Sequence, residues 1–201
     1  MTDRPEIADP SSGPSDPIGI CGEVFDYWRG LNDADGTSVP TRDRIDLLTL
    51  PKSARENFFL IERRDARYLV RLASTRLIDN MGGETTGRYL DELMRPDIYP
   101  ARRALFDRCL ESPAPIYYGA TLAAPTRDHV AFRRILLPVR SAADGPADLV
   151  CGVMDFVAMT DLRNAPERGA VLSAEVSRNN GLVFKHIFSN GRWSVLADAA
   201  G

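Results

Sequence analysis

Residue types that commonly carry chemistry are few in this 201-residue chain: three cysteines, Cys21, Cys109 and Cys151, and two histidines, His129 and His186. Widely spaced cysteines in an odd number suit neither a disulfide framework nor a tetrahedral zinc cluster, since both draw on close pairs. Cys109 and Cys151 lie at apolar-patterned positions, where a thiol acts as a small hydrophobe more readily than as a redox switch. Asp155 or His129 can be drawn beside Tyr117 or Tyr118 as acid and base, but no spacing singles them out among 28 acidic residues. No Gly-x-Ser-x-Gly elbow, phosphate-binding loop or metal-ligand run occurs. The expectation is a protein that binds rather than catalyses, with no catalytic residue and no metal.

Composition narrows the partners. With 28 acidic against 25 basic residues, a net charge of −3, there is no basic footprint for nucleic acid. No apolar run approaches the roughly 18 residues of a membrane span. The absence of a basic-then-apolar leader and the unpaired cysteine count point to the cytoplasm.

The elements that must position any site follow from periodicity. Residues 1–17, rich in Pro, Ser and Gly, read as a disordered tail. Asp16-Pro17 reads as the cap and first-turn proline of a flanking helix within 18–40. Ile20, Val24, Tyr27, Trp28 and Leu31 share one face of it. That stripe either docks on its own domain or serves as a dimer or partner interface through Val24, Tyr27, Trp28 and Leu31.

Residues 41–160 hold the main domain. Phe58-Phe59-Leu60-Ile61 and Tyr68-Leu69-Val70-Arg71-Leu72 form a hairpin around the charged turn Arg63-Arg64-Asp65. Short helices follow, one from Thr75 to Met81 stopped by Gly82-Gly83, another capped by Thr85 or Thr86 and carrying Leu90, Leu93 and Met94. Asp97 caps a longer helix over 98–111, with Ile98, Ala101, Leu105 and Cys109 on its stripe. Three strands, 115–123, 129–139 and 148–157, complete an α+β fold with an antiparallel sheet. Residues 161–201 form a C-terminal extension. In it, 164–178 reads as either helix or strand, and 182–196 as a hairpin around Asn190-Gly191.

Two strands, short helices, a long helix and three strands is the order of a PAS domain. Particular residues strengthen the likeness: Tyr27-Trp28-Arg29-Gly30-Leu31 with Pro40, Arg42 and Ile45-Asp46; Arg71-Leu72-Ala73-Ser74-Thr75; and Thr86-Gly87-Arg88-Tyr89-Leu90-Asp91-Glu92-Leu93. Arg134-Ile135-Leu136-Leu137-Pro138 and Cys151-Gly152-Val153 resemble the last two strands. Over residues 23–157 the chain resembles bacterial stand-alone PAS proteins. The resemblance implies a five-stranded antiparallel sheet with short helices and one long helix on one face.

Periodicity alone does not say which strand face is inward. Register similarity to PAS domains turns Tyr118, Phe132, Arg134, Leu136 and Met154 toward the cavity between sheet and helices, where PAS ligands sit. An inward arginine needs a counter-charge. Asp91 or Glu92 would supply it internally, or a small anionic ligand would, making Arg134 the anchor of an acidic metabolite.

The resemblance also argues against two cofactors and leaves any other unknown. Haem-binding members take their axial histidine from the long helix or the strand after it, and 98–123 has none. Flavin photoadduct chemistry uses a cysteine in the segment matching Met81 to Arg95, which has none. The expected function is sensing or signalling: binding a small molecule or a protein partner, and signalling by contact because 158–201 is too short for an output module. A ligand-free homodimerisation or docking module is the alternative, and a small α+β enzyme a lesser one.

Overall fold

A computed structural model describes residues 16–31, 39–121, 130–163 and 181–197. The tail 1–15, the turn holding His129 and the segment 164–178 lie outside the described residues.

The sheet is built on a hairpin, β1 (Phe58–Arg64) and β2 (Arg67–Ala73). Arg63 and Arg64 pair with Tyr68 and Arg67, so the expected charged turn is part of the ladder. The reversal falls on Asp65, which takes φ 54°, a left-handed conformation that short polar side chains tolerate. Then come α3 (Thr75–Met81), α4 (Leu90–Leu93) and α5 (Tyr99–Glu111), preceded in the chain by α1 (Gly19–Gly30) and α2 (Lys52–Glu56). β3 (Ile116–Thr121), β4 (Ala131–Arg140), β5 (Ala147–Val157), α6 (Met159–Arg163), β6 (Leu182–Ser189) and β7 (Arg192–Val195) complete the fold.

All strands lie antiparallel in one sheet of order β2-β1-β5-β4-β3-β6-β7. The five expected strands occupy the run from β2 to β3. The sheet has seven because the C-terminal hairpin adds to the β3 edge. Asn190 and Gly191 both take positive φ, 52° and 75°, as a type I′ turn demands.

Both faces are covered. α3, α4 and α5 enclose one core with Phe59, Tyr118, Phe132 and Met154, while α1, α2 and α6 cover a second with Phe58, Tyr117, Ile135 and Phe184. β4 and most of β5 are therefore buried along their length. A strand covered on both faces keeps no apolar–polar alternation.

The stripe of α1 docks on its own domain. Val24 and Trp28 are buried in the second core, with Tyr27 and Leu31 half-buried against it. Trp28 Nε1 donates to the Pro138 carbonyl on β4 at 2.9 Å, and Phe25 meets Phe188 and Trp193 of the hairpin at 5.0 and 5.1 Å. Val24 and Trp28 thus offer no open dimer face. Trp28→Phe, which keeps one aromatic ring but loses the pyrrole ring and its donor, should lower stability by about 2 kcal/mol or more in thermal denaturation.

Three expected caps differ. α1 starts after Pro17: Ile18 is its N-cap, Gly19 turns the chain at φ 58°, and the Pro17 carbonyl lies against Gly22. Asp97 does not cap α5, because Arg95 Nε and Nη2 hold its carboxylate at 3.1 and 2.6 Å; Ile98 is the N-cap, with proline in the first turn. Neither Thr85 nor Thr86 caps α4. Their amides donate to the Glu84 carboxylate, and Tyr89 precedes the helix.

Candidate ligand pocket

Between the sheet and α3–α5 the first core is not filled. The sheet contributes Phe59 and Ile61 from β1, Val70 and Ala73 from β2, Phe132 and Arg134 from β4, and Met154 from β5. Across from them stand Leu77 and Met81 of α3, Leu90 and Leu93 of α4 with the adjoining Met94 and Thr85, and Arg102 of α5. The free volume is about 40 Å³, room for about three waters without movement.

Phe132, Arg134 and Met154 line this space, as their strand register implies: Arg134 pairs with Met154 on one side and Tyr118 on the other, so all three share a face. Tyr118 and Leu136 point to the same core but form no part of the lining. Tyr118 stands behind it, its hydroxyl accepting from Arg134 Nη1 at 3.4 Å.

Arg134 is inward and only 6% exposed. Its guanidinium lies 4.2 Å from the Phe59 ring centre and 5.4 Å from that of Phe106, a cation–π placement. Its Nε has no hydrogen-bond partner. The expected internal counter-charge is not there. Asp91 and Glu92 instead hold Arg67 of β2, at 2.7 and 2.8 Å, with the Arg67 guanidinium stacked 3.7 Å over Tyr89. Arg67 lies on the outer side, where both carboxylates stay partly solvated rather than sharing the buried pocket.

Arg102 escapes sequence reading. It sits on α5, 2% exposed, and lines the same pocket. Nη2 donates to the Thr121 carbonyl at 3.4 Å, the guanidinium is 5.7 Å from the Tyr118 ring centre, and Nη1 has no partner. Burial pulls its pKa well below the usual guanidinium value, to about 10, and the charge of Arg134 pushes the same way. Among the described residues no carboxylate pairs with Arg102 or Arg134. Spacing held a signal: Ile98, Arg102, Leu105 and Cys109 fall at i, i+4, i+7 and i+11, the inward stripe of α5.

The other candidate chemical groups stand apart from the pocket lining. Cys109 and Cys151 are fully buried thiols whose pKa burial raises, Cys151 to about 12, which suits packing rather than nucleophilic work. Asp155 pairs in register with Arg133, on the face opposite Tyr118, and burial raises its pKa. His186 is in the second core, stacked on Phe184 with ring centres 5.2 Å apart. Among the described residues no group of His, Cys, Asp or Glu is arranged to hold a metal, and no helix is long and apolar enough to cross a membrane.

No curated protein matches the chain. The sequence profile of the PAS domain matches residues 21–155, more than half of the chain, and takes in α1, the pocket and the strands β1 to β5. A 2-1-5-4-3 antiparallel sheet with three helices closing a pocket on one face, matched along its sequence by that profile, places the chain in the PAS domain family.

Proposed function

We propose that this PAS domain, a sensory and signalling module, binds a small molecule in the pocket between its sheet and α3–α5 and passes the state of that pocket to a protein partner by surface contact. One observation carries the reading: an otherwise close-packed core leaves a space bounded mostly by apolar side chains, with three polar residues, Thr85, Arg102 and Arg134, in its lining. Its ionisable lining groups are two arginines, which suit binding better than acid–base catalysis near neutral pH.

The fold supplies a route for the signal. Arg134 and Pro138 are on the same strand, β4; the first faces the pocket and the second accepts the Trp28 bond from α1 on the opposite side. A ligand that favours one seating of α5 on the sheet shifts α1 only by its difference in affinity for the two states. The three buried thiols fit a reducing compartment, the cytoplasm. With Val24 and Trp28 occupied internally, a second copy of the chain or a signalling protein would dock elsewhere.

Ala73→Leu tests the reading. Ala73 lines the space, and three added carbons fill much of it. In a small-molecule fragment screen followed by NMR at the Met154 and Leu93 methyls, wild type should bind fragments that Ala73→Leu refuses, with thermal midpoints within about 3 °C of each other. Equal binding by the two, or none by wild type, would refute the pocket as a ligand site.

A further inference from the structure

We infer that Arg102 and Arg134 form a two-arginine seat for the carboxylate of a small organic acid, whose apolar body occupies the rest of the pocket. This deepens the ligand-binding reading and rests on it.

The two guanidiniums come from opposite walls, α5 and β4, and both line the cavity. Each is more than nine-tenths buried, and each keeps a nitrogen without a partner: Nη1 of Arg102 and Nε of Arg134. Two like charges buried together repel, and neither finds a carboxylate among the described residues. The contacts they do have are weak: a long bond to the Thr121 carbonyl, a long bond to the Tyr118 hydroxyl, and aromatic faces. A buried cation so placed is costly until an anion joins it. Guanidiniums meet planar carboxylates through paired N–H donors, a fit that a lone ammonium would not give.

The remaining lining decides between anions. Apart from the Thr85 hydroxyl the remaining lining is apolar, with Ile61, Val70, Leu77, Met81, Leu90 and Leu93, so the far side of a phosphate or sulfate would meet one donor at most and leave other oxygens dry and unpaired. A carboxylate places both its oxygens at one end and carbon at the other. With about 40 Å³ free, the space as it stands takes about three heavy atoms, so the acid is a short one, and one the size of isovalerate must push α3 or α4 outward.

Isovalerate, 3-methyl-1-butanol and inorganic phosphate are suitable probes for the full chain, titrated at constant ionic strength and followed by thermal midpoint and by the Met154 methyl in NMR. Isovalerate should raise the wild-type midpoint and move the methyl, with the alcohol and phosphate well behind. Arg102→Met or Arg134→Met should each weaken isovalerate roughly 10- to 100-fold, the scale of one lost hydrogen bond to a charged group, and leave the alcohol unchanged. Arg134→Lys, which keeps the charge but not the fork, should retain part of the affinity, and it serves if the methionine variant does not fold. Alcohol binding as tight as acid binding overturns the carboxylate seat while the pocket stands as a ligand site. Tighter phosphate, or acid binding indifferent to both arginines, overturns it too. If neither isovalerate nor the alcohol distinguishes wild type from Ala73→Leu, the ligand-binding reading falls with it.

Discussion

Gly152→Ala should destabilise the protein by about 4 kcal/mol, at the far end of what single substitutions do. For a chain of this size that lowers the thermal midpoint by about 8–16 °C. Gly152 lies in β5, paired with Phe59 of β1 and next to β4. A Cβ there would collide with the carbonyl oxygen of Ile135 on β4 and come 3.0 Å from Cζ of Phe59. Neither obstacle can step aside. The carbonyl belongs to a central strand buried along nearly its whole length, and Phe59 is the ring on which Arg134 stacks. The added methyl would therefore disturb the sheet and the pocket together. Gly145→Ala is the control: its Cβ would meet Ala142 atoms no closer than 3.5 Å, an ordinary contact, so stability should change by less than about 0.5 kcal/mol. Comparable midpoints for the two variants would show that β4 and β5 do not approach so closely at Gly152.

That close approach also marks where sequence reading ran out. Cys151-Gly152-Val153 helped to suggest the PAS fold, yet nothing in the pattern of β5 says that glycine is required; the need arises from a carbonyl on another strand. The same long-range origin explains the faces of β4. Buried on both sides, it shows no alternation, so likeness to PAS domains and not periodicity places Phe132 and Arg134 on the inward face. Hairpins were legible because their signals are local: positive φ at Asn190-Gly191, and apolar runs flanking a short reversal at Asp65. Caps were not, because Asp97 has a competing partner two residues away in Arg95.

Charge pairing was the least legible level. Asp91 and Glu92 suit Arg134 equally well as residue types, and only the fold shows them committed to Arg67. Arg102 is hidden from a hydropathy pattern because arginine counts there as a surface residue, although it continues the stripe of Ile98, Leu105 and Cys109. The result is a pocket with two cations where the sequence suggested one, and with no internal acid among the described residues. The α1 stripe shows the reverse case. Its spacing fits a docked helix and an interface equally, and the Trp28 bond to Pro138 selects the former.

Removing one of these cations should therefore stabilise the ligand-free protein, the opposite of the usual effect of truncating a buried side chain. For Arg102 the depression from the usual guanidinium value to about 10 corresponds to about 3 kcal/mol of unfavourable burial. Arg102→Met keeps an unbranched apolar side chain against Tyr118 and loses the weak bond to Thr121, worth about 1 kcal/mol. A net gain of about 2 kcal/mol is expected, a rise in thermal midpoint of about 4–8 °C for protein refolded free of small molecules. The pH dependence has a definite sign. Arg102 binds its proton less tightly folded than unfolded, so its cost is complete below about pH 10 and fades as pH rises from there toward 12.5. The advantage of the methionine variant should accordingly be full at pH 8 and begin to narrow as pH passes 10, measured by chemical denaturation of both proteins. An Arg102 held by a structural partner would behave otherwise: Arg102→Met would be less stable than wild type at pH 8. A wild type whose deficit disappears on adding isovalerate, with the variant unmoved, would tie the cost of the empty pocket to the affinity of the filled one.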